Sequence, residues 1–253
     1  MPFRSRSAHP VITLVTAFLA ALALVPFTAT AARAATPVCL RGTFGFEYRS
    51  AEAGTAKPLR TKAVRVANAE LWGAERSGDQ PRWLGVSQFT SDDGDYNLCY
   101  TPTTTATMST VWVKVWAESR RLWRVIDGAS NSYYTQQTQA LTNVAGGAYS
   151  LPTVRATGTA GRAWHALDTL YDLWRKRENP VSDCWTANEP DSSSCTRLNV
   201  YVSDGATSAG YSPHSNSIDL IGEAADSEHT VLHEGGHFLL HRLYAAGAGV
   251  SGA

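Results

Sequence analysis

The stretch Glu228-His229-Thr230-Val231-Leu232-His233-Glu234-Gly235-Gly236-His237-Phe238-Leu239-Leu240-His241 reads as a helix opened by a cap at Asp226 or Ser227, either of which can accept a bond from a free backbone N–H. His233 and His237 stand one turn apart and differ by only about 40° around the axis, so both imidazoles can reach one ion. Neutral imidazole suits zinc, at a bond length of roughly 2 Å. Glu234 lies about 100° round from His233, where it misses the ion and faces a water bound to it. Zinc makes such a water acidic, a carboxylate takes its proton, and the resulting hydroxide attacks a carbonyl. His233 and His237 are therefore the candidate metal ligands, Glu234 the candidate catalytic base and Zn2+ the expected cofactor. Two adjacent glycines inside a helix cost roughly 1 kcal/mol each relative to alanine. Gly235 and Gly236 thus imply a close backbone approach, expected beneath the metal-bearing strand.

This is the HExxH arrangement, with uncharged Thr230, Val231 and Leu232 before it and apolar Phe238 and Leu239 after it. It resembles the active-site helix of the zincin metallopeptidases. The resemblance implies hydrolysis of peptide bonds in a polypeptide substrate, by a zinc-bound water that Glu234 activates. His229 and His241 share the helix, but eight residues separate His233 from His241 by about 12 Å, too far for one ion, and His229 fails against His237 likewise. Both are expected to face solvent or to support the site from behind. Catalytic zinc usually has three protein ligands and a water. The metzincin form would need a histidine at position 243, which is Leu243. The region from Ala160 to Tyr244 is most similar to gluzincin-type peptidases, in which a glutamate on a second downstream helix completes the site. The tail after Tyr244 offers no ligand, so the catalytic region is expected to be incomplete, or else completed by an upstream residue or a partner. His214, Asp219, Glu223 and Asp226 lie upstream without a spacing rule that favours any of them.

Before the helix, Leu198–Val202 and Ser217–Ile221 read as strands, and Gly161–Arg177 as an amphipathic helix striped by Trp164, Leu167, Leu170, Tyr171 and Trp174. His165, Asp168 and Asp172 fall off that stripe and are expected to be solvated or satisfied. From Cys39 to Arg155 the signals are short strands: Leu40–Arg49, Val64–Trp72, Trp83–Gln88, Tyr96–Tyr100, Thr110–Ala117 and Leu122–Ile126. Val111, Val113 and Val115 alternate with Trp112, Lys114 and Trp116, so large side chains occupy both faces. Those tryptophans are expected to cover a sandwich face or to meet the next domain. The runs Ala67-Asn68-Ala69-Glu70-Leu71-Trp72 and Thr90-Ser91-Asp92-Asp93-Gly94-Asp95-Tyr96-Asn97-Leu98 resemble transthyretin-like or carboxypeptidase-regulatory-like β-sandwich modules of exported bacterial proteins. Asp92, Asp93 and Asp95 read as an ordinary polar turn, with calcium binding as the alternative.

The expected fold class is therefore two-domain, an all-β sandwich over 36–156 followed by an α+β zincin-like half-domain over 157–253. Residues 1–35 read as a secretory signal peptide, with Arg4 and Arg6 ahead of the apolar run Val11–Val25 and a cleavage-like Ala32-Arg33-Ala34. That run is shorter than the roughly 20 residues a bilayer requires. A secreted, extracellular protein is expected, with no membrane association after cleavage. The four cysteines of such a chain read as disulfides, with Cys39–Cys99 and Cys184–Cys195 the preferred pairs among the three pairings possible.

At 253 residues, 43% hydrophobic and 17% charged, the composition is that of a globular protein. Removal of the leader with Arg4, Arg6 and Arg33 leaves 19 basic residues against 22 acidic ones. With Arg175-Lys176-Arg177 as its only basic cluster, the sequence does not point to nucleic acid as a partner. A zinc endopeptidase is the leading expectation, its sandwich holding substrate, a cell-wall component or a surface partner. The alternative is a non-enzymatic exported surface or binding protein whose HExxH helix is a remnant. No spaced pair of carboxylates marks a glycan hydrolase.

Overall fold

A computed structural model describes residues 36–177, 182–187, 189 and 195–247. The expected signal peptide over 1–35 lies outside the described residues. In chain order the strands are β1 (Val38–Arg49), β2 (Leu59–Ala63), β3 (Asn68–Ala74), β4 (Arg82–Phe89), β5 (Asp95–Tyr100), β6 (Thr107–Trp116), β7 (Glu118–Ser119) and β8 (Trp123–Asp127). There follow β9 (Ser132–Tyr133), β10 (Thr135–Gln137), β11 (Leu141–Ala145), β12 (Gly147–Ser150) and β13 (Val154–Ala156). The helix α1 (Gly158–Lys176) then leads to β14 (Leu198–Ser203), β15 (Ser208–Ser212), β16 (Ser217–Ile221) and the helix α2 (Glu228–Gly247). Strand is the dominant structure, arranged as sandwich-like sheets with two helices.

The long β1 organises the first sheet. Its first half pairs antiparallel with β5 and parallel with β12, and its second half pairs with β2 and β13. In the second sheet β3 lies between β4 and β6, and the far edge of β6 takes β10 and β11. The period-two pattern of β6 has the predicted consequence: Val111, Val113 and Val115 are fully buried against Leu40, Phe44, Phe46 and Leu98, while Trp112, Lys114 and Trp116 face outward. Cys39 and Cys99 sit directly opposite each other on β1 and β5 and form one disulfide, and Cys184–Cys195 forms the other.

The strand expected over Val64–Trp72 is shortened to β3, its first four residues, Val64–Ala67, forming a kink that joins β3 to a strand not expected, β2. Val66 takes φ +51°, and buried Thr90 fixes the kink, its hydroxyl donating to the Val64 carbonyl and accepting from the Ala67 N–H. The kink turns Arg65 toward α1, where it pairs with Asp168 and Asp172. In the Ser91–Asp95 turn the Ser91 hydroxyl accepts from the N–H of Asp93 and of Asp95. Gly94 is required there, since its φ is +78° and a Cβ would lie 2.4 Å from the Phe44 carbonyl oxygen. The carboxylates diverge: Asp95 binds Thr43, and Asp92 accepts from Tyr171 of α1. The polar-turn reading fits this geometry and a shared calcium does not.

The third sheet has the order β15-β16-β14-β8-β7, with β9 also on β8. The strands β16, β14 and β8 run parallel, and β15 returns antiparallel along β16 as an edge strand. The expected strand at 122–126 thus joins 198–221 in one sheet. Both helices pack on this sheet, through a layer of Trp123, Leu167, Val200, Val202, Leu220, Val231 and Phe238.

Candidate metal centre

The helix α2 begins where the sequence allows it to. The Ser227 hydroxyl accepts from the Thr230 N–H at 3.1 Å and caps the helix, while Asp226 is buried and engaged with Arg162 and the Arg49 N–H. Glu52, from the connection between β1 and β2, accepts from both the Ser227 hydroxyl and the His229 N–H. A negative charge at a helix N-terminus is favourable, and Glu52 and Glu228 supply it there. Phe238 is fully buried against the rings of Trp185 and Tyr211, which fixes the rotation of α2 on the sheet.

With that rotation, His233 and His237 face solvent and their Nε2 atoms lie 3.1 Å apart, the rings 4.6 Å apart and edge to face. Two nitrogens at zinc bonds of about 2.0–2.1 Å and a tetrahedral angle stand roughly 3.3–3.4 Å from each other. The separation of the pair is close to that spacing. Glu234 follows His233 on the helix and is mostly buried at 8% exposure. Its carboxylate takes no hydrogen bond or ion pair from the described residues, and neither oxygen is sealed from solvent.

The remaining candidates are placed elsewhere. The ring of His229 is exposed, 6.4 Å from that of His233. His241 Nδ1 lies 2.9 Å from the Tyr211 hydroxyl of β15, so this histidine ties the helix to the edge strand. Glu223 pairs with Lys57 and Asp226 with Arg162. Among the described residues no three His, Cys, Asp or Glu side chains gather as a metal-binding group. The two glycines behave differently from each other. A Cβ on Gly235 would lie 2.7 Å from Leu173 and 3.0 Å from Leu170, so the close approach is to α1 and not to a strand, whereas Gly236 faces open space.

A cluster that the sequence did not indicate lies at the base of α2. His165 and Asp168 are buried rather than solvated, since α1 carries them into the seam with β1 and β2. Asp168 receives the Arg65 guanidinium, with Lys62 nearby, and His165 donates from Nδ1 to the Ala225 carbonyl while stacking on Tyr48 at 3.9 Å. Burial lowers the pKa of His165 and raises that of Asp168, which the Arg65 charge counteracts. Lys62 also pairs with Glu228, the first residue of α2.

The helix with its histidine pair thus sits on the third sheet, in a chain that also carries a disulfide-bonded sandwich. Residues 39–163 match the family model of the mycolysin middle domain, and residues 177–250 that of the mycolysin C-terminal domain. Over both regions the chain is related to the mycolysin family of secreted bacterial metallopeptidases, and its two disulfides are compatible with an extracellular setting. No curated protein matches the chain. Among solved structures, a 9R-lipoxygenase from Cyanothece PCC8801 is 14% identical with a TM-score of 0.29, over 55% of this chain and 23% of that one. The major plantain pollen allergen is 11% identical with a TM-score of 0.28, over 48% of this chain and 94% of that one. Likeness at that level carries no argument about fold or function. This chain spans under a quarter of the lipoxygenase's length.

Proposed function

We propose that the chain is a secreted zinc metallopeptidase that hydrolyses peptide bonds, with His233 and His237 holding the metal and Glu234 acting as general base. The observation that carries this reading is the 3.1 Å approach of the two Nε2 atoms beside an unengaged carboxylate. When bound, zinc supplies Lewis acidity, which polarises a peptide carbonyl and acidifies water. Glu234 takes the proton of the attacking water on a carboxylate oxygen as the water oxygen bonds to the carbonyl carbon, and then returns it to the amide nitrogen as the C–N bond breaks. The outer edge of β15, which pairs with no other strand among the described residues, supports the same reading. Its other edge pairs with β16 and its Tyr211 is tied to α2, so an extended polypeptide can add to the sheet alongside the histidines. The third sheet with its two helices is read as a zincin-like α+β half-domain.

The test uses the full chain secreted and purified at neutral pH. It is expected to carry about one zinc, as read by atomic absorption, and to cleave casein. Glu234→Gln is expected to retain zinc and thermal stability while losing about 10²- to 10⁴-fold in rate. His233→Ala and His237→Ala are expected to lose the metal. A chain that binds no zinc, or a Glu234→Gln variant as active as the parent, refutes the assignment. Zinc binding without hydrolysis of any unfolded protein leaves a non-enzymatic surface protein as the better reading.

A further inference from the structure

The outward face of the second sheet carries aromatic side chains that the hydrolytic reading does not use. Strand register places Trp72 opposite Trp83 on β4 and Trp112 on β6, and Asn68 opposite Phe89 and Trp116. Trp83 and Phe89 are 47% and 42% exposed, although rings of this size are ordinarily put away from water. Glu70 stands between the two rows. Its Oε2 accepts from the indole N–H of Trp72 at 2.9 Å and of Trp116 at 2.6 Å, while Oε1 has only a long 3.3 Å bond from Asn68. The Trp83 ring is itself oriented, its N–H donating to the Val86 carbonyl.

Beside Glu70 this face becomes a groove of about 350 Å3 lined by Asn68, Glu70, Trp83, Phe89, Glu118 and Arg121, with Ser87 between the rings. The wall that closes it is a tight turn in which Arg120 and Arg121 both have positive φ, +47° and +62°, and the Leu122 N–H binds the Ser119 carbonyl. Glycine or asparagine relieves such a turn, so two arginines in it mark a position where side chains are retained against backbone strain. Arg120 is accounted for by Asp183 and by the rings of Trp174 and Phe89. Arg121 points into the groove and makes no side-chain hydrogen bond or ion pair with the described residues.

We propose that this groove binds a carbohydrate chain, stacking sugar rings on Trp83 and Phe89 and hydrogen-bonding their hydroxyls to Glu70 Oε1, Asn68 and Arg121. The lining contains no aliphatic side chain, which disfavours a lipid tail or the apolar anchor of a peptide. It offers flat π faces for the C–H face of a sugar and fixed donors and acceptors for its rim. The positive and negative side chains interleave, so the site does not call for a highly charged polymer. The inference is independent of the metal centre.

The experiment titrates the full chain calorimetrically with cello-oligosaccharide, chito-oligosaccharide and polygalacturonate. Binding to either neutral probe supports the proposal, and binding to polygalacturonate alone overturns it in favour of a charge-driven contact with Arg121. Trp83→Ala, an exposed position, is expected to weaken binding about tenfold with the fold kept. Arg121→Gly is expected to weaken binding while raising the melting temperature by about 2–4 °C, because glycine takes the positive φ without strain. Absence of binding to all three probes overturns the proposal, and so does binding that neither variant changes.

Discussion

At the residue scale, Gly235 and Gly236 look alike in sequence and differ in what surrounds them. Alanine is roughly 1 kcal/mol better than glycine inside a helix. At Gly236 a methyl group would find nothing within 4 Å, so that gain is unopposed. At Gly235 the same methyl meets the ends of Leu173 and Leu170 at 2.7 and 3.0 Å, and overpacking of this kind costs about 1–3 kcal/mol. Gly236→Ala is therefore expected to raise the urea midpoint by the equivalent of about 1 kcal/mol, and Gly235→Ala to leave it level or lower it. Equal stabilisation by both changes would mean that α1 and α2 are not in the contact described.

At the scale of elements, the base of α2 is held by the antiparallel pair β1 and β2 and the connection between them. Arg49, Glu52 and Lys62 meet Asp226, Ser227, His229 and Glu228 in turn. Burial alone would raise the pKa of Glu52, but the His229 N–H and the Ser227 hydroxyl outweigh it and bring the carboxyl below its ordinary value near 4.5. As pH falls, the unfolded chain takes up this proton before the folded one does, so the contribution is present above about pH 4.5 and fades below it. Glu52→Ala is expected to lower stability by roughly 0.5–1 kcal/mol at pH 7, within the range of a lost helix cap. Measured by denaturation at about pH 3, that difference should shrink. A deficit unchanged by pH would show that the carboxylate charge is not its source. The same region shows what the sequence disclosed. The cap at Asp226 or Ser227, the stripe of α1 and the one-turn spacing of His233 and His237 are set within a few residues and were legible. Glu52, Tyr211 and the burial of His165 depend on distant strands and were not. Strands β9–β13 escaped notice because stretches such as Thr135–Gln137 and Gly147–Ser150 are short and lack apolar alternation, their pairing dictated by the edges of β6 and β1. The kink at Val66 escaped for a related reason, since Val and Arg carry no turn preference and Thr90 imposes the bend from across the sheet.

At the scale of the whole molecule, the third sheet interleaves early and late sequence. β8, at 123–127, lies against β14, at 198–203, so chain on either side of residue 157 forms one continuous ladder. The joint is buried and specific. The Trp123 indole donates to the Leu167 carbonyl and the Trp185 indole to that of Leu122, and both rings are essentially sealed from solvent. Arg65 crosses the seam to the nearly fully buried Asp168, and removing one partner of such a pair costs about 3–5 kcal/mol. A fragment 36–156 would expose Trp123 and the β14-facing edge of β8, and a fragment 157–253 would leave β14 without its neighbour and Asp168 without its cation. The chain from Thr36 onward is accordingly expected to unfold in one transition, with calorimetric and van't Hoff enthalpies equal, while neither fragment alone shows a cooperative melt. A fragment that melts cooperatively by itself would show that its own core suffices, and that the shared ladder joins two finished domains rather than completing one.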